Sequence, residues 1–83
     1  MKMNRIQLIM LSVLSKVEAK NPATSVSIDY IMKYVQLEKS YSTIYREINL
    51  LCYNNYISQG VQDGKFNTYY VNKNGVEKLK EML

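Results

Sequence analysis

The sequence predicts an α+β fold in which three helices are followed by a two-stranded hairpin and a short last helix. Three observations carry that expectation. Apolar residues recur at spacings of three and four through the first half of the chain and again at its end, which marks helices with one buried stripe. Asp63-Gly64 separates two runs rich in aromatic and β-branched residues, a strong hairpin signal. Ser27, Ser40 and Asn54-Asn55 stand where helices would begin or end.

The first helix is expected from about Asn4 to Lys20. Ile6, Ile9, Met10, Val13, Leu14 and Val17 form its apolar stripe, with Lys16 and Lys20 off it. Asn21-Pro22 is expected to end it, since proline cannot continue the hydrogen-bond ladder and restricts the residue before it. Thr24-Ser25-Val26-Ser27 is β-prone and reads as a short edge strand. Ser27 then caps a second helix, with Asp29 in its favourable first turn and Ile28, Ile31, Met32 and Val35 pointing inward.

Gln36 to Lys39 is a short connection. A third helix follows from Tyr41 or Ser42 to Asn54, for which Ser40 and Ser42 both qualify as caps. Ile44, Ile48, Leu51 and Cys52 mark its buried face, and Asn54-Asn55 supplies a left-handed residue at its end. Tyr56 to Val61 and Phe66 to Val71 are the hairpin strands, joined by a turn over Gln62-Asp63-Gly64-Lys65. Asn72-Lys73-Asn74-Gly75 turns the chain into the last helix, with a stripe of Val76, Leu79, Met82 and Leu83. This order is the winged helix-turn-helix plan: a three-helix core, a two-stranded β wing and a short C-terminal helix. Residues 1–83 read as a single domain.

Composition narrows the function. The chain of 83 residues is 47% hydrophobic and 22% charged, which is globular. Its net charge of +4 and pI of about 9.2 favour a polyanionic partner. Histidine is absent and Cys52 is the lone cysteine, so neither a metal site nor a cofactor is expected, and Cys52 reads as an inert thiol. No apolar stretch is long enough to span a bilayer and no cleavage site follows the first one, so the expected location is cytoplasmic. No enzyme signature is present: there is no glycine-rich phosphate loop, and Asp29 with Glu38 or Glu77 with Glu81 would be exposed.

The third helix carries the chemistry. With Ile44, Ile48 and Leu51 inward, Ser42, Thr43, Arg46, Asn49 and Tyr53 lie on or near the opposite side, and Ser40 and Tyr41 stand at its entrance. A recognition helix enters the major groove N-terminus first. Ser40, Ser42 and Thr43, with the free N–H groups of the first turn, suit phosphates. Arg46 has the reach to bond both acceptors of a guanine, Asn49 can pair with adenine, and the Tyr45 hydroxyl can bond a phosphate. This outward face is expected to carry a single acid, Glu47. In the wing, Gln62, Lys65 and Asn67 are expected to add phosphate affinity with little sequence discrimination. A solvated helix surface would show the same residue types, and both readings stay open on the residues alone.

The run Ser42-Thr43-Ile44-Tyr45-Arg46-Glu47-Ile48-Asn49-Leu50-Leu51-Cys52-Tyr53-Asn54-Asn55-Tyr56-Ile57 resembles the recognition-helix segment of PadR-like transcriptional regulators, with Thr43, Ile44, Tyr45, Arg46, Ile48, Leu51 and Ile57 on matching positions. Tyr69-Tyr70-Val71-Asn72-Lys73-Asn74-Gly75 is similar to that family's strand-to-helix junction. Asn55 stands where the family has Gly, Lys73-Asn74 replaces its Thr, and the wing is poorer in Arg. The family's long C-terminal dimerisation domain has no counterpart before Leu83. The resemblance implies a short-form repressor that binds double-stranded DNA as a homodimer. The dimer contact is assigned to the first and last helices, whose stripes look wider than a core of this size needs.

Other functions fit the same pattern. A winged helix also serves as a protein-interaction module, and a plasmid or phage segregation or replication accessory would bind DNA repeats with it. The eight tyrosines allow an aromatic cleft for a small-molecule effector, or they simply line core edges.

Overall fold

The structure, a computed structural model, describes residues 2–36, 38–62 and 64–82. Helix α1 spans Arg5–Lys16, a single 3-10 turn Pro22–Thr24, strand β1 Val26–Ser27, α2 Ile28–Val35, α3 Tyr41–Tyr53, β2 Ile57–Gln59, β3 Thr68–Val71 and α4 Lys73–Met82. The three strands form one antiparallel sheet in the order β1-β3-β2. This is a winged helix-turn-helix: α2 and α3 form the helix-turn-helix pair, and the β2–β3 hairpin is the wing.

Helix α1 is the hub. It packs against α2, α3, α4 and β3. Met10, Leu11, Val13 and Leu14 from α1 meet Ile28 and Ile31 of α2, Ile44, Ile48 and Leu51 of α3, and Ile57, Tyr69 and Val71 of the sheet in one buried cluster. Removing that apolar area from water is the main stabilising term. The stripe expected on α1 is therefore largely consumed by the core, with Ile6, Ile9 and Val17 half-buried at its margin.

The caps follow local chemistry. Asn4 opens α1 with a reciprocal box: its Oδ1 accepts from the Gln7 N–H at 2.8 Å, and the Gln7 Oε1 accepts from the Asn4 N–H at 3.1 Å. Ser27 caps α2, accepting from Tyr30 N–H, and Ser40 caps α3, accepting from Thr43 N–H, both at 3.2 Å. Ser42 is not a cap; it lies inside α3. Asn55 takes the left-handed conformation at φ 65°, as expected. The N–H of Asn55 bonds Cys52 O and that of Tyr56 bonds Leu51 O, which closes α3 with a Schellman motif.

Several boundaries differ from expectation. Helix α1 stops at Lys16, before Asn21-Pro22 is reached. Glu18 adopts φ 60°, with Glu18 N–H on Ser15 O and Ala19 N–H on Leu14 O. That turn drops Ala19 into the core, where its carbonyl accepts from the Val71 N–H at 2.8 Å. Asn21-Pro22 instead opens the 3-10 turn, with Asn21 Oδ1 accepting from Ala23 and Thr24 N–H groups. Thr24 lies in that turn, so β1 is only Val26–Ser27, at the sheet edge.

The wing strands are shorter than Tyr56–Val61 and Phe66–Val71. The Gly60 N–H bonds Thr68 O and the Thr68 hydroxyl donates to Val61 O, so β2 ends at Gln59 and β3 begins at Thr68, with Phe66 in an isolated bridge. Gly64 has φ 62°, in keeping with the expected turn, while Asp63 lies outside the described residues.

Helix α4 begins at Lys73, so Gly75 belongs to its first turn and not to a connecting turn. Asn72 Oδ1 accepts from the Gly75 N–H at 3.0 Å. Val76 and Leu79 pack half-buried on the core, Met82 is exposed, and Leu83 lies outside the described residues.

Candidate nucleic-acid interface

Helix α3 turns a polar side outward. Helical spacing of 100° per residue sets Ser42, Arg46, Asn49 and Tyr53 on one stripe opposite Ile44, Ile48 and Leu51. Those three apolar residues are fully buried. Ser42 and Arg46 are exposed and Asn49 is half-buried. Tyr53 is 88% exposed, more than any other large hydrophobic residue among those described. The sequence had put Tyr53 on this side without placing it in the binding set.

Ser40 and Thr43 serve the helix end. Besides the cap to Thr43 N–H, the two hydroxyls lie 3.0 Å apart in a hydrogen bond. Tyr41 and Tyr45 are exposed and stacked, with ring centroids 6.2 Å apart and planes 18° apart. A matching pair, Tyr30 and Tyr34, stacks on α2 at 6.3 Å. Lys65 and Asn67 are exposed in the wing loop, beside exposed Val61 and Phe66.

Glu47 is not on the outer side. It is 7% exposed, and its Oε2 accepts from the Asn4 side-chain amide at 3.0 Å. Since Glu47 is the one acid of α3, the outward side of the helix carries Arg46 and no carboxylate. That arrangement suits a phosphate-lined groove. Spacing offered the clue: Ile44, Glu47, Ile48 and Leu51 stand at i, i+3, i+4 and i+7, the pattern of a buried stripe.

Two further groups bear on the site. Cys52 is half-buried, and burial pushes its thiol above the ordinary value. The Tyr69 hydroxyl is buried and makes no hydrogen bond of good geometry among the described residues, although the Asn67 side chain lies near it. Burial raises its pKa and the Cys52, Tyr45 and Tyr41 charges add to the rise, while the Asn67 side chain offsets part of it.

Among the described residues no three metal-ligating side chains converge, and no helix is long and apolar enough to cross a membrane. Tyr34 lines an open trough of about 380 Å³ with Leu8, Ile9, Val13 and Val35; its walls come from α1 and α2 and include no wing residue.

The class this architecture defines is the winged helix, and known structures agree. The chain is similar to TubR from Bacillus megaterium pBM400, with a TM-score of 0.85 and 21% identity over 98% of this chain and 87% of that one. It is similar to the DNA-binding TubR fragment from Clostridium botulinum, with a TM-score of 0.75 and 26% identity over the whole of both chains. The ferric uptake regulator from Francisella tularensis, solved with iron, matches with a TM-score of 0.65 and 20% identity over 88% of this chain and 55% of its own. No protein-family model and no curated protein sequence matches the chain. None of the three structures is described as PadR-like.

Proposed function

We propose that residues 1–83 act as one non-catalytic winged-helix unit in the cytoplasm, which binds double-stranded DNA with α3 in the major groove and the wing loop on the backbone. The observation that carries this is the outward side of α3, where Ser42, Arg46 and Asn49 stand with no acid because Glu47 is turned inward. Arg46 reads a guanine edge. Ser40, Ser42 and Thr43 position the first turn on phosphates, Tyr41 and Tyr45 lie along the duplex beside them, Asn49 reaches toward an adenine, and Lys65 and Asn67 hold the backbone from the wing. The description of one structural neighbour as DNA-binding supports the reading.

The chain works as a homodimer on a pseudo-palindromic site, with half-sites about one helical turn apart. Part-exposed Ile6 and Ile9 at the start of α1 and exposed Met82 at the end of α4 supply the contact. Bound over a promoter it represses transcription, as the PadR-like motif implies.

The likeness to two TubR chains favours a second reading, in which the chain binds a row of DNA repeats as a segregation or replication accessory. Footprinting on the DNA flanking the gene, at two salt concentrations, separates the two. One protected inverted repeat supports the repressor, and adjacent protected sites filling together support the accessory. Absence of protection at low salt refutes DNA binding and leaves the protein-interaction module standing.

A further inference from the structure

We infer that Tyr41 and Tyr45 read thymine methyl groups, so that the DNA site carries thymines beside the base that Arg46 contacts. This rests on the DNA-docking reading above and names the sequence class that reading requires.

The two rings stand four residues apart on the first two turns of α3. Their centroids are 6.2 Å apart, their planes 18° apart, and they are 46% and 41% exposed. The near-parallel pair offers apolar ring surface to solvent. Helical geometry sets the pair roughly a quarter-turn from the Ser42–Arg46 stripe. An α-helix about 10–12 Å across fills a major groove about 12 Å wide, so side chains a quarter-turn from the floor meet the flank of the groove. The apolar group that base edges offer there is the 5-methyl of thymine.

Ser40, Ser42 and Thr43 already supply hydroxyls for phosphates at the same end of the helix. The stacked pair adds contact area without adding charge, and each ring steadies the other.

The test uses the full chain and duplexes selected from a random library at fixed salt. Replacing every thymine of the selected duplex by uracil removes the methyls and leaves base pairing intact. Wild type is expected to lose about 4-fold in affinity per methyl contacted, thus about 10-fold or more for two. The Tyr41→Phe/Tyr45→Phe variant keeps that discrimination, and the Tyr41→Ser/Tyr45→Ser variant binds both duplexes alike. Equal wild-type affinity for thymine and uracil duplexes overturns the inference while DNA docking stands. A Phe variant as weak as the Ser variant also overturns it, in favour of phosphate contacts through the hydroxyls. Selection of no duplex at all refutes the docking reading, and this inference with it.

Discussion

The side-chain amide of Asn4 donates a 3.0 Å hydrogen bond to Oε2 of Glu47, 43 residues further along the chain. Asn4 is at the same time the cap of α1, and Glu47 stands in the middle of α3. One contact therefore ties the start of the central helix to the inner flank of α3. It also holds the carboxylate of α3 away from the side proposed to meet DNA.

Glu47→Ala removes the acceptor and leaves the Asn4 amide to water. Asn4 is exposed, so part of the loss is recovered by solvation. We expect a loss of about 1 kcal/mol in stability, below the full range for hydrogen bonds to charged groups. The midpoint of urea unfolding measures it. DNA affinity should change little, because Glu47 does not face outward.

Arg46→Ala should weaken binding to the specific site by about 1–3 kcal/mol and relax the preference at one base pair. Fluorescence anisotropy with the specific duplex and a scrambled one gives both quantities. Loss of the same size on both duplexes would assign Arg46 to phosphate contact instead.

Gly75→Ala should be among the most damaging small changes. A Cβ there would stand 2.2 Å from the Tyr56 carbonyl oxygen and 2.5 Å from the Val71 side chain. The carbonyl is backbone and moves reluctantly. Destabilisation should lie toward the upper end of the about 1–3 kcal/mol typical of overpacking, read from thermal unfolding.

Glu18→Gly should stabilise. Glu18 sits at φ 60°, where a Cβ is unfavourable by about 1–2 kcal/mol, and glycine recovers that less its larger unfolded-state entropy. A net gain of about 0.5–1 kcal/mol is expected in urea unfolding.

Tyr69→Phe removes a buried hydroxyl that lacks a partner, so stability near neutral pH should hold or rise slightly. The pH dependence has a definite sign. Burial raises the folded-state Tyr69 pKa above the ordinary 10.0, so the unfolded chain loses this proton first. The wild type should therefore lose stability as pH rises above about 10, a loss absent from the Phe variant. Melting temperatures of both proteins between pH 8 and 11 check it.

Features set by local chemistry were legible in the sequence. Ser27 and Ser40 cap because a short side-chain oxygen reaches the N–H groups of the first turn, and Asn55 ends α3 because asparagine tolerates a left-handed backbone. The outward positions of Ser42 and Arg46 follow from the spacing of Ile44 and Ile48. Features set by tertiary contact were not legible. Glutamate has no preference for φ 60°, so nothing near Glu18 announces the end of α1; the core site for Ala19 and the bond to Val71 decide it. Phe66 and Asn67 have strand-like neighbours, yet the Thr68 hydroxyl closes the wing loop before them. Glu47 read as surface because it is charged, although its spacing placed it inward.

The root of the wing has a mechanical consequence. Ser25 Oγ lies 2.7 Å from the Thr68 hydroxyl and bonds the Pro22 carbonyl at 2.8 Å, and Gly60 presses so close that a Cβ would fall 2.1 Å from Ser25 Oγ. The hairpin is thus clamped to the segment that leads into α2. In the DNA docking proposed above, a wing root locked in this way acts as a ruler: it fixes the spacing between the wing strands and α3, so a duplex of the wrong groove width would have to deform to be gripped.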